Sequence, residues 1–145
     1  MKFTTVLTGL VLVSSGLLMS ACQTADPTVA KVGSSTEKAT AKSGEKATLL
    51  SFAGVNDDCS SQIPPQLKVV SGPSHGTIDF SRGSGRPKFA QGERRYKCNS
   101  HNISKIFVEY TSAAGFVGKD VVTVSSKTTG SDFYSYVKFE INVTK

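Results

Sequence analysis

The chain contains no Trp, and of its 145 residues only three are Cys, two are His and two are Met. Aromatic residues make up 8% and charged residues 19%. No apolar run reaches the roughly 20 residues that a membrane-spanning helix needs. The longest, 6–18, is 13 residues long and is diluted by Thr8, Gly9, Ser14, Ser15 and Gly16. Between 46 and 145 no window carries a helical stripe, which argues against a helical domain. Cys98 and His101 have the spacing of a soft metal site, with Cys59 as a third candidate, but a fourth ligand is lacking and no metal or cofactor is expected. With 38% apolar residues the composition is that of a globular domain, and the length allows a single core.

The N-terminus is ordered as a secretory leader. Lys2 supplies the positive start, 6–18 the apolar core, and Ser20 and Ala21 the small residues before Cys22. The string Leu18-Met19-Ser20-Ala21-Cys22 resembles the lipobox of bacterial lipoproteins, with Met19 where that family usually has Leu. The resemblance implies cleavage before Cys22 and acylation of its thiol, each buried methylene adding about 0.8 kcal/mol to membrane partitioning. An ordinary leader ending at Ala21 is the alternative. Gln23 stands where an inner-membrane retention signal would have Asp, so in a Gram-negative cell the expectation is an outer-membrane anchor, with the protein on the periplasmic side or at the surface.

Residues 1–21 are therefore read as leader and 22–45 as a disordered tether. From 23 to 45 there is no aromatic residue and no hydrophobic period, only Thr, Ala, Ser, Lys and Gly with little else. A flexible segment of this length spans on the order of 25 to 30 Å. From 46 to 145 the period changes to two. In 133–144, Phe133, Val137, Phe139, Ile141 and Val143 fall on one face, and Tyr134, Tyr136, Lys138, Glu140 and Asn142 on the other. Ile106, Val108 and Tyr110 alternate in 105–111, and 119–126 is rich in Val and Thr. Shorter strands are expected at 46–52, 67–70 and 77–80. Turn chemistry separates them: Gly72-Pro73-Ser74-His75-Gly76, Gly83-Ser84-Gly85, Ala113-Ala114-Gly115 and Thr129-Gly130-Ser131-Asp132. Short strands at this spacing predict an all-β, antiparallel β-sandwich.

The strings Pro73-Ser74-His75-Gly76-Thr77-Ile78 and Tyr110-Thr111-Ser112-Ala113-Ala114-Gly115-Phe116-Val117-Gly118-Lys119-Asp120-Val121-Val122 resemble the bacterial Ig-like, cadherin-like repeats, with Ser112 replacing a usual Pro and Val122 a usual aromatic. That resemblance implies an Ig-like sandwich in which Phe116 closes one end of the core and Gly115 and Gly118 take backbone angles a side chain would oppose. It supplies no activity. In an oxidising compartment Cys59 and Cys98 are expected to form a disulfide, closing a loop of about 40 residues worth roughly 4 kcal/mol on loop-closure entropy, which leaves Cys22 as the odd thiol.

Charge gives the main functional asymmetry. Between 82 and 105 stand Arg82, Arg86, Lys88, Arg94, Arg95, Lys97 and Lys105 against the single Glu93, an excess equal to the net charge of the whole chain, +6. Interleaved with Phe89 and Tyr96, such a segment suits phosphate-bearing polymers, here an anionic envelope glycolipid or an envelope protein; export makes nucleic acid an unexpected partner. The alternative is a solvated hairpin. Gly72-Pro73-Ser74-His75-Gly76 also fits the nucleophile elbow of hydrolases, with His101 and Asp120 or Asp79 as partners, but the elbow requires a following helix and the sequence continues as strand. No catalytic residue is assigned. Asp57, Asp58 and Asp132 invite a calcium site, yet a lone domain lacks the neighbour that would share the ion. The expected function is a membrane-anchored binding module of the cell envelope, with an accessory role through free sheet edges as the alternative and a hydrolase as the remote one.

Overall fold

The computed structural model of the protein describes residues 32–145. The leader, Cys22 and the segment up to residue 31 lie outside the described residues. Seven strands build two sheets: β1 (Val32–Lys42), β2 (Lys46–Phe52), β3 (Gln66–Ser71), β4 (Gly76–Gly85), β5 (Ile103–Ser112), β6 (Gly118–Lys127) and β7 (Tyr134–Thr144). One sheet has the order β1-β7-β6-β3, the other β2-β5-β4. All neighbours are antiparallel except β1 and β7, which run parallel. With β2, β5 and β4 in one layer and β3, β6 and β7 in the other, this is the immunoglobulin arrangement, its first strand laid along the edge of the last.

The alternation in the sequence is what drives the layers together. In β7, Val137, Phe139, Ile141 and Val143 are buried; in β5, Val108 and Tyr110; in β6, Val122 and Val124. Leu50, Phe52, Leu67, Val69 and Ile78 pack against this cluster from the remaining strands. Burying each such side chain contributes on the order of 1.5 to 3 kcal/mol, so the two-residue period is the principal source of cohesion. The expected final strand 133–144 loses only its first residue.

Two expectations are corrected. Residues 32–42 are not tether but strand, so the domain begins by residue 32 instead of 46. β1 is paired with β7 along its whole length, from Val32 opposite Tyr134 to Lys42 opposite Thr144. It has no hydrophobic period because an edge strand is held by its main-chain ladder to a neighbour, while its small side chains let it lie close; from Gly33 to Lys42 only Ala41 is fully buried. Gly83-Ser84-Gly85 is also not a turn. It prolongs β4, Gly83 opposite Lys105 and Gly85 opposite Ile103. The Phe107 ring lies over Gly83, where a Cβ would come within 2.9 Å of it, so glycine here makes room for a cross-strand aromatic.

Strand directions define two ends. At one, the turn end, lie the short connections 43–45, 72–75 and 113–117. At the other, the lobe end, lie the longer connections 53–65, 86–102 and 128–133, together with Val32, where the chain enters β1. The turn end is built as the family resemblance implies: Gly115 and Gly118 have φ of +82° and +144°, and Phe116 packs against the main cluster and stacks on His75 with ring centres 4.1 Å apart.

Candidate functional site

The lobe end has its own small core. Val55, Cys59, Cys98 and Ile103 are buried together, Phe89 packs on them, and Cys59 and Cys98 are joined in a disulfide across 39 residues. Around this bond the loops are held by local polar contacts. Cys59 has φ of +69°, uncommon for a side chain with a Cβ, and its N–H donates to the Asn56 carbonyl at 3.0 Å. Asn99 behaves as a short strand partner for Phe89: its Oδ1 accepts the Phe89 N–H and its Nδ2 donates to the Phe89 carbonyl, both at 2.9 Å. Cys98 itself sits in a single 3-10 turn, Tyr96–Ser100.

The disulfide brings the acidic pair Asp57-Asp58 to the basic segment. Asp57 takes both neighbouring arginines: Arg94 donates to its Oδ2, and Arg95 Nε lies 3.6 Å from its Oδ1. The Arg95 guanidinium also stands 6.0 Å over the Phe89 ring, within reach of a cation–π contact. Asp58 turns back to Ser60, accepting from its Oγ at 2.6 Å and its N–H at 2.9 Å, and these bonds hold its carboxyl below the ordinary range. Glu93 accepts the Ala90 N–H at 2.7 Å. Arg86, Lys88 and Lys97 are exposed, and among the described residues no carboxylate lies within ion-pair distance of them.

Three further ion pairs are present, Lys46 with Glu109 at 3.1 Å, Lys138 with Glu140 at 2.9 Å and, at the lobe end, Lys127 with Asp132 at 3.9 Å, while Lys38, Lys42, Lys68, Lys119 and Lys145 have no carboxylate within ion-pair distance among the described residues. Glu140 is held below its ordinary range first by the hydrogen bond from Lys138 and then by Lys38 and Lys119 around it. The densest run of cations is nonetheless at the lobe, with Arg86, Lys88, Arg94, Arg95 and Lys97 within twelve residues of chain. Two members of the expected basic set stand apart from that gathering. Arg82 is on β4, at the rim of a groove of about 530 Å³ lined by Ile63, Pro64, Pro65, Leu67 and Phe80. Lys105, on β5, reaches back to the Arg86 carbonyl at 2.9 Å and so braces the start of the basic segment.

The other candidate chemistry is dispersed. Ser74 is at the turn end and His101 at the lobe end, where its Nδ1 lies 3.2 Å from Ser100 Oγ. β4 follows Ser74. Asp120 is buried on β6 and orients no imidazole; its carboxylate accepts the N–H groups of Ser74, His75 and Val121 and the hydroxyl of Tyr110, at 2.8 to 3.0 Å. Burial pushes its pKa up, but these four donors outweigh burial and leave it below the ordinary range. The same pairing, after burial, raises the Tyr110 phenol well above its ordinary value. Ser112 is buried; its Oγ accepts the Gly44 N–H at 2.9 Å and donates to the Lys42 carbonyl at 3.3 Å, tying the β1–β2 turn to β5. The described residues hold no group of three potential metal ligands, and Cys98, being oxidised, offers no thiolate.

Sequence reasoning missed Asp57 as the partner of Arg94 and Arg95. The signal was present, since a 59–98 bridge necessarily sets the residues before Cys59 beside those before Cys98. Known proteins add little to this site. No family model matches the chain, and no curated protein matches it. Among solved structures it is similar to the solution structure of Amebosin, at 13% identity and a TM-score of 0.40 over 79% of this chain and 98% of that one.

Proposed function

We propose that the protein is an extracytoplasmic binding module of the bacterial cell envelope, anchored through a lipid on Cys22, whose lobe engages phosphate-bearing envelope components. One observation carries the reading: a disulfide-held lobe gathers Arg86, Lys88, Arg94, Arg95 and Lys97 within twelve residues of chain, and Arg86, Lys88 and Lys97 have no carboxylate within ion-pair distance among the described residues. A rigid support for charged loops is what a recognition surface requires, because ordering the loops in advance lowers the cost of binding. A hydrolytic role draws no support from Ser74 and His101, which stand at opposite ends.

The test is binding of the mature chain to a phosphorylated core oligosaccharide freed of its acyl chains, with the dephosphorylated sugar as control. The expected result is preference for the phosphorylated form and at least a roughly tenfold weakening in a Lys88→Glu/Lys97→Glu variant, since each surface cation near an anionic partner contributes about 1 kcal/mol. Equal binding of both sugars, or an unaffected variant, sinks the reading. An accessory role through the free edge of β4, a ten-residue strand paired only with β5, predicts instead a protein partner indifferent to these charges.

A further inference from the structure

The lobe end carries more than charge. Three of the seven exposed large apolar side chains among the described residues are there: Ile63 at 75%, Tyr96 at 48% and Phe133 at 39%. Ile63 lies in the β2–β3 connection, which Thr129 Oγ1 ties to the β6–β7 connection through the Pro64 carbonyl at 3.2 Å. Tyr96 stands between Arg95 and Lys97. Phe133 lies beside Gly33, so it flanks the place where the chain enters β1. At the turn end the connections 43–45, 72–75 and 113–117 contain no Lys or Arg, the cations there being Lys42, Lys46, Lys119 and Lys145 at the flanking strand ends, and the exposed large apolar residue in these connections is Val117.

Direction of the chain adds a second constraint. β1 runs from the lobe end to the turn end, because Val32 is opposite Tyr134, the first residue of β7. Ten chain steps, through nine intervening residues, separate Cys22 from Val32. Even fully extended they reach no more than about 35 Å. The chain from a lipid on Cys22 therefore joins the domain at the lobe end, within about 35 Å of the bilayer, so the lobe can reach the surface, where electrostatic attraction that decays over about 8 Å takes hold on contact.

We infer that the lobe end docks on the bilayer that anchors the protein, its cations on anionic phospholipid headgroups and Ile63, Tyr96 and Phe133 in the interfacial layer. This rests on the reading of the lobe as an anion-binding surface and names the ligand as the lipid surface in cis. The chemistry matches on both counts. Cations are drawn to the negative potential of acidic lipid, and side chains with apolar bodies settle at headgroup depth, where aromatic rings with a polar tip such as Tyr96 are enriched. Four carboxylates lie at this end as well: Asp57 pairs with Arg94 and Arg95, Asp132 lies 3.9 Å from Lys127, and Asp58 and Glu93 add negative charge, so the attraction rests on Arg86, Lys88 and Lys97, which have no carboxylate within ion-pair distance among the described residues. The turn end then projects away from the membrane.

Because the chain has no Trp, one introduced indole reports position unambiguously. The experiment uses the mature chain with Cys22→Ser, so that no lipid tethers it, carrying either Ile63→Trp or Val117→Trp. It is mixed with vesicles of phosphatidylcholine alone or of phosphatidylcholine with phosphatidylglycerol. Expected are a blue shift of emission for Ile63→Trp on the anionic vesicles only, none for Val117→Trp, and cosedimentation that weakens at least about tenfold on Lys88→Glu/Lys97→Glu. Circular dichroism checks each fold, and Tyr96→Trp replaces Ile63→Trp if that variant unfolds. If the phosphorylated oligosaccharide binds and anionic vesicles do not, docking on the bilayer is wrong while the anion-binding reading stands; if neither binds, both are wrong. A blue shift at Val117→Trp, or vesicle binding without a shift at either lobe position, overturns the orientation.

Discussion

The two ends of the sandwich are closed by different means. At the turn end a buried carboxylate, Asp120, gathers four donors from three connected pieces of chain, and tight connections with glycine at positive φ leave little freedom. At the lobe end one covalent bond and a handful of apolar side chains hold connections several times longer, and most polar side chains there face water. The turn end spends its polar groups on the fold. The lobe end fixes its backbone with a disulfide and so leaves its cations available to a partner.

If that contrast is right, the largest effect on stability comes from the lobe's covalent bond. Replacing Cys59 and Cys98 together by Ser should lower the unfolding free energy by roughly 4 kcal/mol, the loop-closure entropy of a ring of about 40 residues, as read by denaturant titration. It should also broaden the amide resonances of 53–61 and 86–101 while leaving those of the turn end sharp. Uniform broadening would show that the lobe is an integral part of the main core, and the comparison would break.

The second effect belongs to the turn end. Asp120→Asn should cost about 2 to 3 kcal/mol, because an amide group turns a donor toward backbone N–H groups that have no other acceptor. The pH dependence sharpens this. Asp120 titrates lower in the folded chain than its ordinary value of about 3.9, so its contribution is present above that value and is lost as pH falls through the folded pKa. The gap between wild type and Asp120→Asn in urea denaturation should therefore narrow below pH about 4. Tyr110 has the opposite sign. Its raised pKa makes its contribution complete below about 10 and declining above it. A gap that stays constant down to low pH would mean that the carboxylate is not the node of this end.

These ends also differ in how far the sequence revealed them. β5, β6 and β7 were legible because burial on one face of a strand imposes a two-residue period, and the alternation from Val137 to Val143 corresponds to the buried row. Gly115 and Gly118 were expected at backbone angles a side chain would oppose, from the resemblance to the Ig-like repeats, and both have positive φ. β1 was not legible: an edge strand held by its ladder needs no apolar face, and its Ser, Thr and Lys read as solvent-exposed linker. Gly83-Ser84-Gly85 read as a turn because the Phe107 ring that requires its glycine lies on another strand. The role of Asp120 was hidden for the same reason, since its partners come from residues 46 and 45 positions away as well as from Tyr110 and the adjacent Val121. At the lobe the bridge between Cys59 and Cys98 was legible from cysteine arithmetic, and with it the neighbourhood of Asp57 and Arg94, although not their pairing.

That pairing allows the finest test of the contrast. Asp57 and Arg94 have side chains 56% and 76% exposed, and ion pairs so exposed contribute little after screening. Asp57→Asn should accordingly change the unfolding free energy by less than about 0.5 kcal/mol. Yet it removes the one carboxylate that competes with a ligand for two guanidiniums. Binding to phosphatidylglycerol vesicles should strengthen by roughly fivefold, at about 1 kcal/mol for each cation brought to an anionic surface and with Arg95 still partly engaged over Phe89. The same substitution at the turn end, Asp120→Asn, should destabilise the fold and leave vesicle affinity of the folded fraction unchanged. One carboxylate would then be dispensable to the fold and restraining to the ligand, and the other indispensable to the fold and silent to the ligand. An Asp57→Asn variant that binds no better would show that Arg94 and Arg95 face away from the partner, and that the binding surface is confined to Arg86, Lys88 and Lys97.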